Sequence, residues 1–386
     1  MLKLSRISRS LMVVIYTVFI CFVTYLAVRE KGIGETNLGK IAIYMVVLAF
    51  CVCLYQIIKR RLRDKTDNQT VRRLYRFVYL AVVLVISRLV VIFFAKESIA
   101  YIETYSGLAG KILKGLASIT GEYKYSAIIL NTILVYINSV IIKKIMLNIF
   151  ENDAVSTMSS IIYILSPISL MKCWMFDASM FNTLFILLGI YLIYKVYDEI
   201  SEYGLKSKKY IWYSVSVAVV CILDILFGNN VFVWGAMCGF LIILADYIDK
   251  TNIVIKGKNI AISKGLITLL MVIVASGLAW LISHIFSLNT YNFGGIQDMF
   301  GTTNKLYILS GMIVVLFETL AVALNRKNEF KVTFMKVAVC VFGIIAVYYM
   351  HSLAVFDALF SMSLVLSIGN MYYNREEKIK LLKSGE

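Results

Sequence analysis

Apolar residues in this chain fall into long unbroken runs of similar length, separated by short polar segments. A bilayer's hydrocarbon layer takes about 20 apolar helical residues per crossing. Runs of that order stand at 11–28, 41–58, 77–95, 126–142, 155–172, 178–194, 211–227, 231–247, 265–286, 306–324, 333–350 and 353–371. The pattern predicts an all-α fold, a polytopic transmembrane bundle of about twelve helices. Between the third and fourth runs, segment 96–125 carries Ile102, Leu108, Ile112, Leu113 and Leu116 at helical spacing, together with Tyr101, Tyr105, Tyr123 and Tyr125. It predicts short amphipathic helices lying at headgroup depth.

The polar segments alternate in charge. Of 39 Lys and Arg, 29 fall in segments 1–10, 59–76, 143–153, 195–209, 248–264, 325–336 and 374–386, whereas 287–304 has none. The positive-inside rule then predicts an integral plasma-membrane protein with both termini cytoplasmic and with 96–125 and 287–304 exoplasmic. The expected organisation is two leading spans and a basic loop over 1–76, a membrane core over 77–374 and a cytoplasmic tail over 375–386. No small-residue cleavage site follows the first run, so it is expected to remain as a span.

A hydrophobic content of 60% and a mean hydropathy of +0.81 leave no stretch for a soluble domain. The net charge of +16 therefore reads as topology and attraction to anionic lipid, and no nucleic-acid partner is expected. Of seven cysteines, Cys21, Cys51, Cys53, Cys221, Cys238 and Cys340 lie inside apolar runs, where a thiol behaves as a small hydrophobe. The spacing matches neither a zinc site nor a disulfide framework. Nucleotide-binding glycine loops, zinc helix motifs and Gly-x-Ser-x-Gly elbows are absent, which excludes the soluble-enzyme classes that use them.

Ionisable groups in or beside the spans are costly and carry the functional reading. Arg88, in the outer half of the third run, reads either as a cation that snorkels to the interface or as a contact for an anionic headgroup. Glu97 and Glu103 follow it, and Asp177 stands between the fifth and sixth runs, so three carboxylates are expected on one exoplasmic side. Asn229 and Asn230, after Gly228, interrupt the apolar stretch between runs seven and eight and read as a turn or as substrate contacts. His284 reads as a phosphate partner or as a helix-packing residue, and Asp298 lies in the glycine-containing loop 287–304. Asp224, Glu318 and Asp357 fall within runs and are expected to pair with neighbouring helices or to line a polar cavity. The only proline, Pro167, ends Leu165-Ser166-Pro167 and can release backbone carbonyls towards the outer face.

From Arg88 to Lys195 the chain resembles the GT-C superfamily of polytopic glycosyltransferases, which includes protein O-mannosyltransferases and lipid A aminoarabinose transferases. The resemblance rests on Tyr105, Ala109 and Gly115 after the arginine-bearing span and on Asn131 in the next. It continues through Lys143-Lys144-Ile145, Asn148-Ile149-Phe150, Ile161-Ile162-Tyr163-Ile164-Leu165-Ser166-Pro167, Asp177 and Phe181-Asn182-Thr183-Leu184-Phe185. It implies a polyprenyl-phosphate-linked sugar as donor, an exoplasmic carboxylate as catalytic base and, in some members, a divalent metal. In the family's register the base falls on Tyr101, with Glu103 and Glu97 the nearest carboxylates, and its later Lys-Pro motif is replaced by Gly228-Asn229-Asn230.

The expected function is transfer of a sugar from a polyprenyl-phosphate donor to an exoplasmic glycan, lipid or protein. In that reading Glu103, Asp177 and Glu97 are catalytic, and Arg88, Tyr101, Tyr105, Asn229, Asn230, His284 and Asp298 bind substrate. Two alternatives are a flippase for lipid-linked saccharide, working through Asp224, Glu318 and Asp357, and a non-catalytic subunit or glycan polymerase of envelope polysaccharide assembly.

Overall fold

A computed structural model describes residues 69–94, 107–151, 153–164, 179–203, 208–227, 251–255, 258–262 and 264–285, with Ser169, Trp234, Met237 and Cys238. These residues form seven helices and one hairpin: α1 Gln69–Phe94, α2 Gly107–Thr120, α3 Tyr123–Phe150, α4 Asp153–Ile164, α5 Ser179–Tyr203, α6 Lys208–Leu226, β1 Thr251–Ile255, β2 Lys258–Ile262 and α7 Lys264–Ile285. Three stretches are long and apolar enough to cross a membrane, Tyr125–Phe150, Phe181–Glu199 and Lys209–Leu226, and Phe77–Leu89 and Thr268–Ile282 are shorter apolar helices. The spans expected at 11–28, 41–58, 306–324, 333–350 and 353–371 lie outside the described residues, as do 231–247 except Trp234, Met237 and Cys238 and the part of 155–172 beyond Ile164 except Ser169.

Three helices outrun the apolar runs that predict them. α1 begins at Gln69, within the expected basic loop, α3 continues through Lys143 and Lys144 to Phe150, and α5 runs to Tyr203. Hydropathy reports only the part that dissolves in hydrocarbon, whereas Lys, Arg and Glu are good helix formers and carry the turn on beyond it.

α3 is the hub. α1, α2, α4 and α5 pack against it, and the bundle extends sideways from α5 to α6 and from α6 to α7. α3 stops where Glu151 takes a left-handed conformation, φ 50°, and its N–H reaches back to the Leu147 carbonyl. α4 then returns antiparallel, with Ser160 Oγ donating to the Ser139 carbonyl at 2.8 Å and Asn138 Nδ2 donating to the Tyr163 hydroxyl at 3.1 Å. α5 runs alongside α3 in the same direction, the Tyr194 hydroxyl donating to the Asn148 carbonyl at 3.2 Å. Phe181 and Phe185 on α5 meet Phe227 at the end of α6, so these two helices are antiparallel. Tyr210 lies beside Thr268 and Cys221 beside Ser276, two levels that make α6 and α7 parallel.

This arrangement gathers the starts of α1, α4, α6 and α7 and the ends of α3 and α5 at one end of the bundle, where Lys144 and Lys209 are exposed. The sides of the bundle are apolar. Tyr125, Ile129, Ile133 and Ile137 form an exposed line at every fourth residue of α3, as Val215, Val219 and Leu223 do on α6. The inside holds Ser126, Asn131, Asn138 and Ser139 of α3, Ser156, Thr157, Ser159 and Ser160 of α4, and Asn182 and Thr183 of α5. Small hydroxylic residues let helices approach closely in an apolar surround, where the hydrophobic effect does not drive them together.

Two elements differ from the expected picture. α2 is helical and buries Ala109, Leu113 and Ala117 on the side that packs on α3, but of the apolar residues expected to form its face only Leu113 is buried, Leu108 and Leu116 are half-buried, and Ile112 is exposed beside Lys111 and Lys114. The hairpin adds one short strand pair to a described part that is otherwise all helical. β1 and β2 pair antiparallel from Thr251↔Ile262 to Ile255↔Lys258 within a segment expected to be a basic loop. Its β-branched Thr251, Ile253, Val254, Ile255, Ile260 and Ile262, on either side of Lys256-Gly257, favour strand pairing over coil.

Candidate functional site

Arg88 is buried, 4% exposed, in the half of α1 remote from the basic end. Its guanidinium does not snorkel: Nη1 donates to the Ser169 carbonyl and Nη2 to the Ser169 hydroxyl at 2.7 Å. One planar fork thus holds both polar groups of a residue 81 positions away, two after Pro167, in a geometry that an ammonium lacks. Ser87 beside it turns its hydroxyl back onto the Leu84 carbonyl at 2.7 Å, which satisfies the hydroxyl without breaking the helix.

Register places further polar groups near this height. Phe77 receives the Tyr136 hydroxyl on its carbonyl and lies under the Lys143 ammonium, 4.9 Å from the ring centroid. Arg88 is eleven residues, roughly 16 Å, further along α1 at about 1.5 Å per residue. That is the level of Asn131 on the antiparallel α3, which is also buried. Asn138 stands two turns below Asn131 on the same face of α3, and α5 carries the fully buried Asn182 and Thr183 in its opening turns.

A second constellation lies between α5 and α6. Trp234 Nε1 donates to Asp224 Oδ2 at 2.8 Å, and both residues are fully buried. The indole ring fills the space over Gly189 on α5, where any Cβ would overlap it. Asp224 therefore takes the pairing role among the two expected for it.

His284 is exposed and stacks on Trp280, centroids 5.6 Å apart and planes 3° from parallel. It belongs to the outer surface of α7 and not to a helix interface, contrary to the packing reading. Glu97, Tyr101, Glu103, Tyr105, Asp177, Asn229, Asn230 and Asp298, like Glu318 and Asp357, lie outside the described residues. The helix ends that flank several of them are described: α1 ends at Phe94, α5 begins at Ser179 and Phe227 follows α6, all on the half of the bundle away from the basic end. Among the described residues no three His, Cys, Asp or Glu side chains come together to hold a metal, and the carboxylates considered for one are not among them.

Arg88 and Asp224 stand out in the sequence, but their partners Ser169 and Trp234 do not, nor do the buried Asn138 and Asn182. Asn131 and Asn138, seven residues apart in an apolar run, were the available signal for a polar inner face. Compared with protein-family models, with curated proteins and with solved structures, the chain finds no match.

Proposed function

We propose that this chain is a membrane glycosyltransferase on the GT-C plan, moving a sugar from a polyprenyl-phosphate donor to an exoplasmic glycan, lipid or protein acceptor. The observation that carries the proposal is Arg88: a guanidinium kept inside the bundle, on the half opposite the basic end, and oriented by Ser169. A buried cation is expensive, and a fixed one is suited to a phosphate whose charge grows as a glycosidic bond breaks. In this reading the basic end faces the cytoplasm, both termini are cytoplasmic, and the carboxylates of Glu97, Glu103 and Asp177 face outward with Arg88.

The chemistry assigned to these residues is an inverting displacement. Glu103 accepts the proton of the acceptor's hydroxyl as that oxygen attacks the anomeric carbon. The bond from that carbon to the phosphate oxygen breaks, and Arg88 stabilises the departing polyprenyl phosphate. Glu97 and Asp177 orient the acceptor, while Tyr101, Tyr105, Asn229, Asn230 and Asp298 border the sugar.

The test uses full-length protein in proteoliposomes with a polyprenyl-phosphate hexose and scores transferred sugar. Glu103→Gln should lower transfer by about 10²–10⁴-fold, the usual contribution of a general base, with the circular dichroism of the bundle unchanged. Full activity in that variant removes Glu103 from the mechanism. The flippase reading instead predicts that Asp224→Asn stops lipid translocation while Glu103→Gln leaves it intact. The Asp224–Trp234 bond argues for a structural aspartate and against that alternative.

A further inference from the structure

The β1–β2 hairpin has two unlike faces. Its register pairs Thr251 with Ile262, Ile253 with Ile260 and Ile255 with Lys258, and the alternate pairs are Asn252 with Ala261 and Val254 with Asn259. Successive residues of a strand belong to opposite faces, so four isoleucines and Thr251 share one face with Lys258, while both asparagines fall on the other. Lys256 and Gly257 stand between the strands. From Lys250 to Lys264 the chain carries four lysines, Lys250, Lys256, Lys258 and Lys264, and no Asp or Glu.

An isolated two-stranded hairpin is at best marginally stable in water, so the isoleucine face calls for an apolar cover. Among the described residues the sheet has two strands, and each strand therefore has one backbone edge outside the ladder. Such edges are costly in hydrocarbon and are satisfied where water and headgroups reach them. α7 starts two residues after β2, at the basic end of the bundle, and carries the apolar stretch Thr268–Ile282. The hairpin is thus tethered at the boundary of an apolar helix. A nucleic acid or an acidic peptide would answer the lysines and leave the isoleucine face to water, whereas a bilayer surface with anionic phosphates answers both.

We infer that β1–β2 is a membrane-surface hairpin, its isoleucine face lying in the leaflet on the basic side of the bundle with Lys256 and Lys258 at the phosphates of anionic phospholipids. The inference rests on the chain crossing a bilayer and is independent of the proposed glycosyl transfer. It gives the 248–264 segment a binding partner, an anionic lipid surface, that a plain connecting loop would not hold.

The experiment puts one cysteine into a cysteine-free full chain, Ile253→Cys on one face of the hairpin, Asn252→Cys on the other, or Val219→Cys on the exposed line of α6, and attaches an environment-sensitive fluorophore. Proteoliposomes are made of phosphatidylcholine with or without phosphatidylglycerol, and a lipid spin-labelled high on its acyl chain serves as quencher. The Ile253→Cys label should shift to the blue and be quenched several-fold more than the Asn252→Cys label, and phosphatidylglycerol should enlarge the difference. Lys256→Gln with Lys258→Gln should lower that quenching to its level in phosphatidylcholine alone, whereas Lys256→Arg with Lys258→Arg should retain it, the circular dichroism being unchanged in both. Quenching of the Val219→Cys label without quenching at Ile253→Cys, equal quenching on the two hairpin faces, or indifference to phosphatidylglycerol or to the glutamine pair overturns the inference. Absence of quenching at Val219→Cys overturns the bilayer crossing on which it rests.

Discussion

Trp234 joins two helices through two different properties of one side chain. Its N–H bonds to Asp224 on α6, and its ring fills the notch at Gly189 on α5. A methyl group at Gly189 would sit 2.7 Å from Trp234 Cζ3, and the indole has no freedom to withdraw while its nitrogen is held. Gly189→Ala should therefore destabilise the protein by about 1–3 kcal/mol, the usual cost of overpacking, read as a lowered unfolding midpoint. Asp224→Ala removes the acceptor of the Trp234 N–H and leaves that buried donor unmet, which should cost about 1–3 kcal/mol, with Asp224→Asn milder because one carbonyl oxygen remains. At Arg88, lysine keeps the charge but cannot span the carbonyl and hydroxyl of Ser169 together. Loss of one bond to a charged group, about 1.5–3 kcal/mol, corresponds to a fall in transfer on the order of 10- to 100-fold in the proteoliposome assay. The residues whose burial is costly were legible from sequence because hydrocarbon penalises charge wherever the helix turns. Their partners were not, since Ser169 lies 81 residues from Arg88 and a serine in an apolar run carries no mark of what it meets.

At the scale of elements, the corner between α2 and α3 rests on one backbone conformation. Gly121 has φ +83°, its N–H bonds to the Ala117 carbonyl, and Ser126 Oγ donates to the Glu122 carbonyl just beyond it. Open space surrounds a Cβ at this position, so the cost of Gly121→Ala is the left-handed conformation alone, about 1–2 kcal/mol. Faster hydrogen exchange along Gly107–Thr120, with α5 and α6 unchanged, is the expected signature. Helix existence was legible throughout the described residues, because runs of this length and hydropathy have few alternatives. Helix ends were not, and neither was the hairpin, because Thr251–Ile262 is too short and too mixed in polarity for a hydropathy window to separate from a loop. The pairing of Ile255 with Lys258 is a matter of strand register, which bulk polarity does not encode.

For the whole molecule, the packing order makes a topology that can be probed directly. In a cysteine-free background, a membrane-impermeant maleimide applied to intact cells should label Ser118→Cys on the exposed face of α2 and leave Lys144→Cys and Lys209→Cys unlabelled until the membrane is opened. Labelling of the two lysine positions from outside would reverse the proposed orientation and put Arg88 on the cytoplasmic half. The sequence by itself determined that the described part of this chain is built mainly of apolar helices and that basic segments alternate with the apolar runs. Both follow from terms that add up locally, the transfer energy of each side chain and the charge of each loop. Only the tertiary structure decided that Arg88 is held inside by Ser169, that Asp224 is bound by Trp234, and that the indole of Trp234 fills the notch at Gly189. Those outcomes depend on which helix faces which and at what register, and the uniform hydropathy of a membrane helix does not encode that choice.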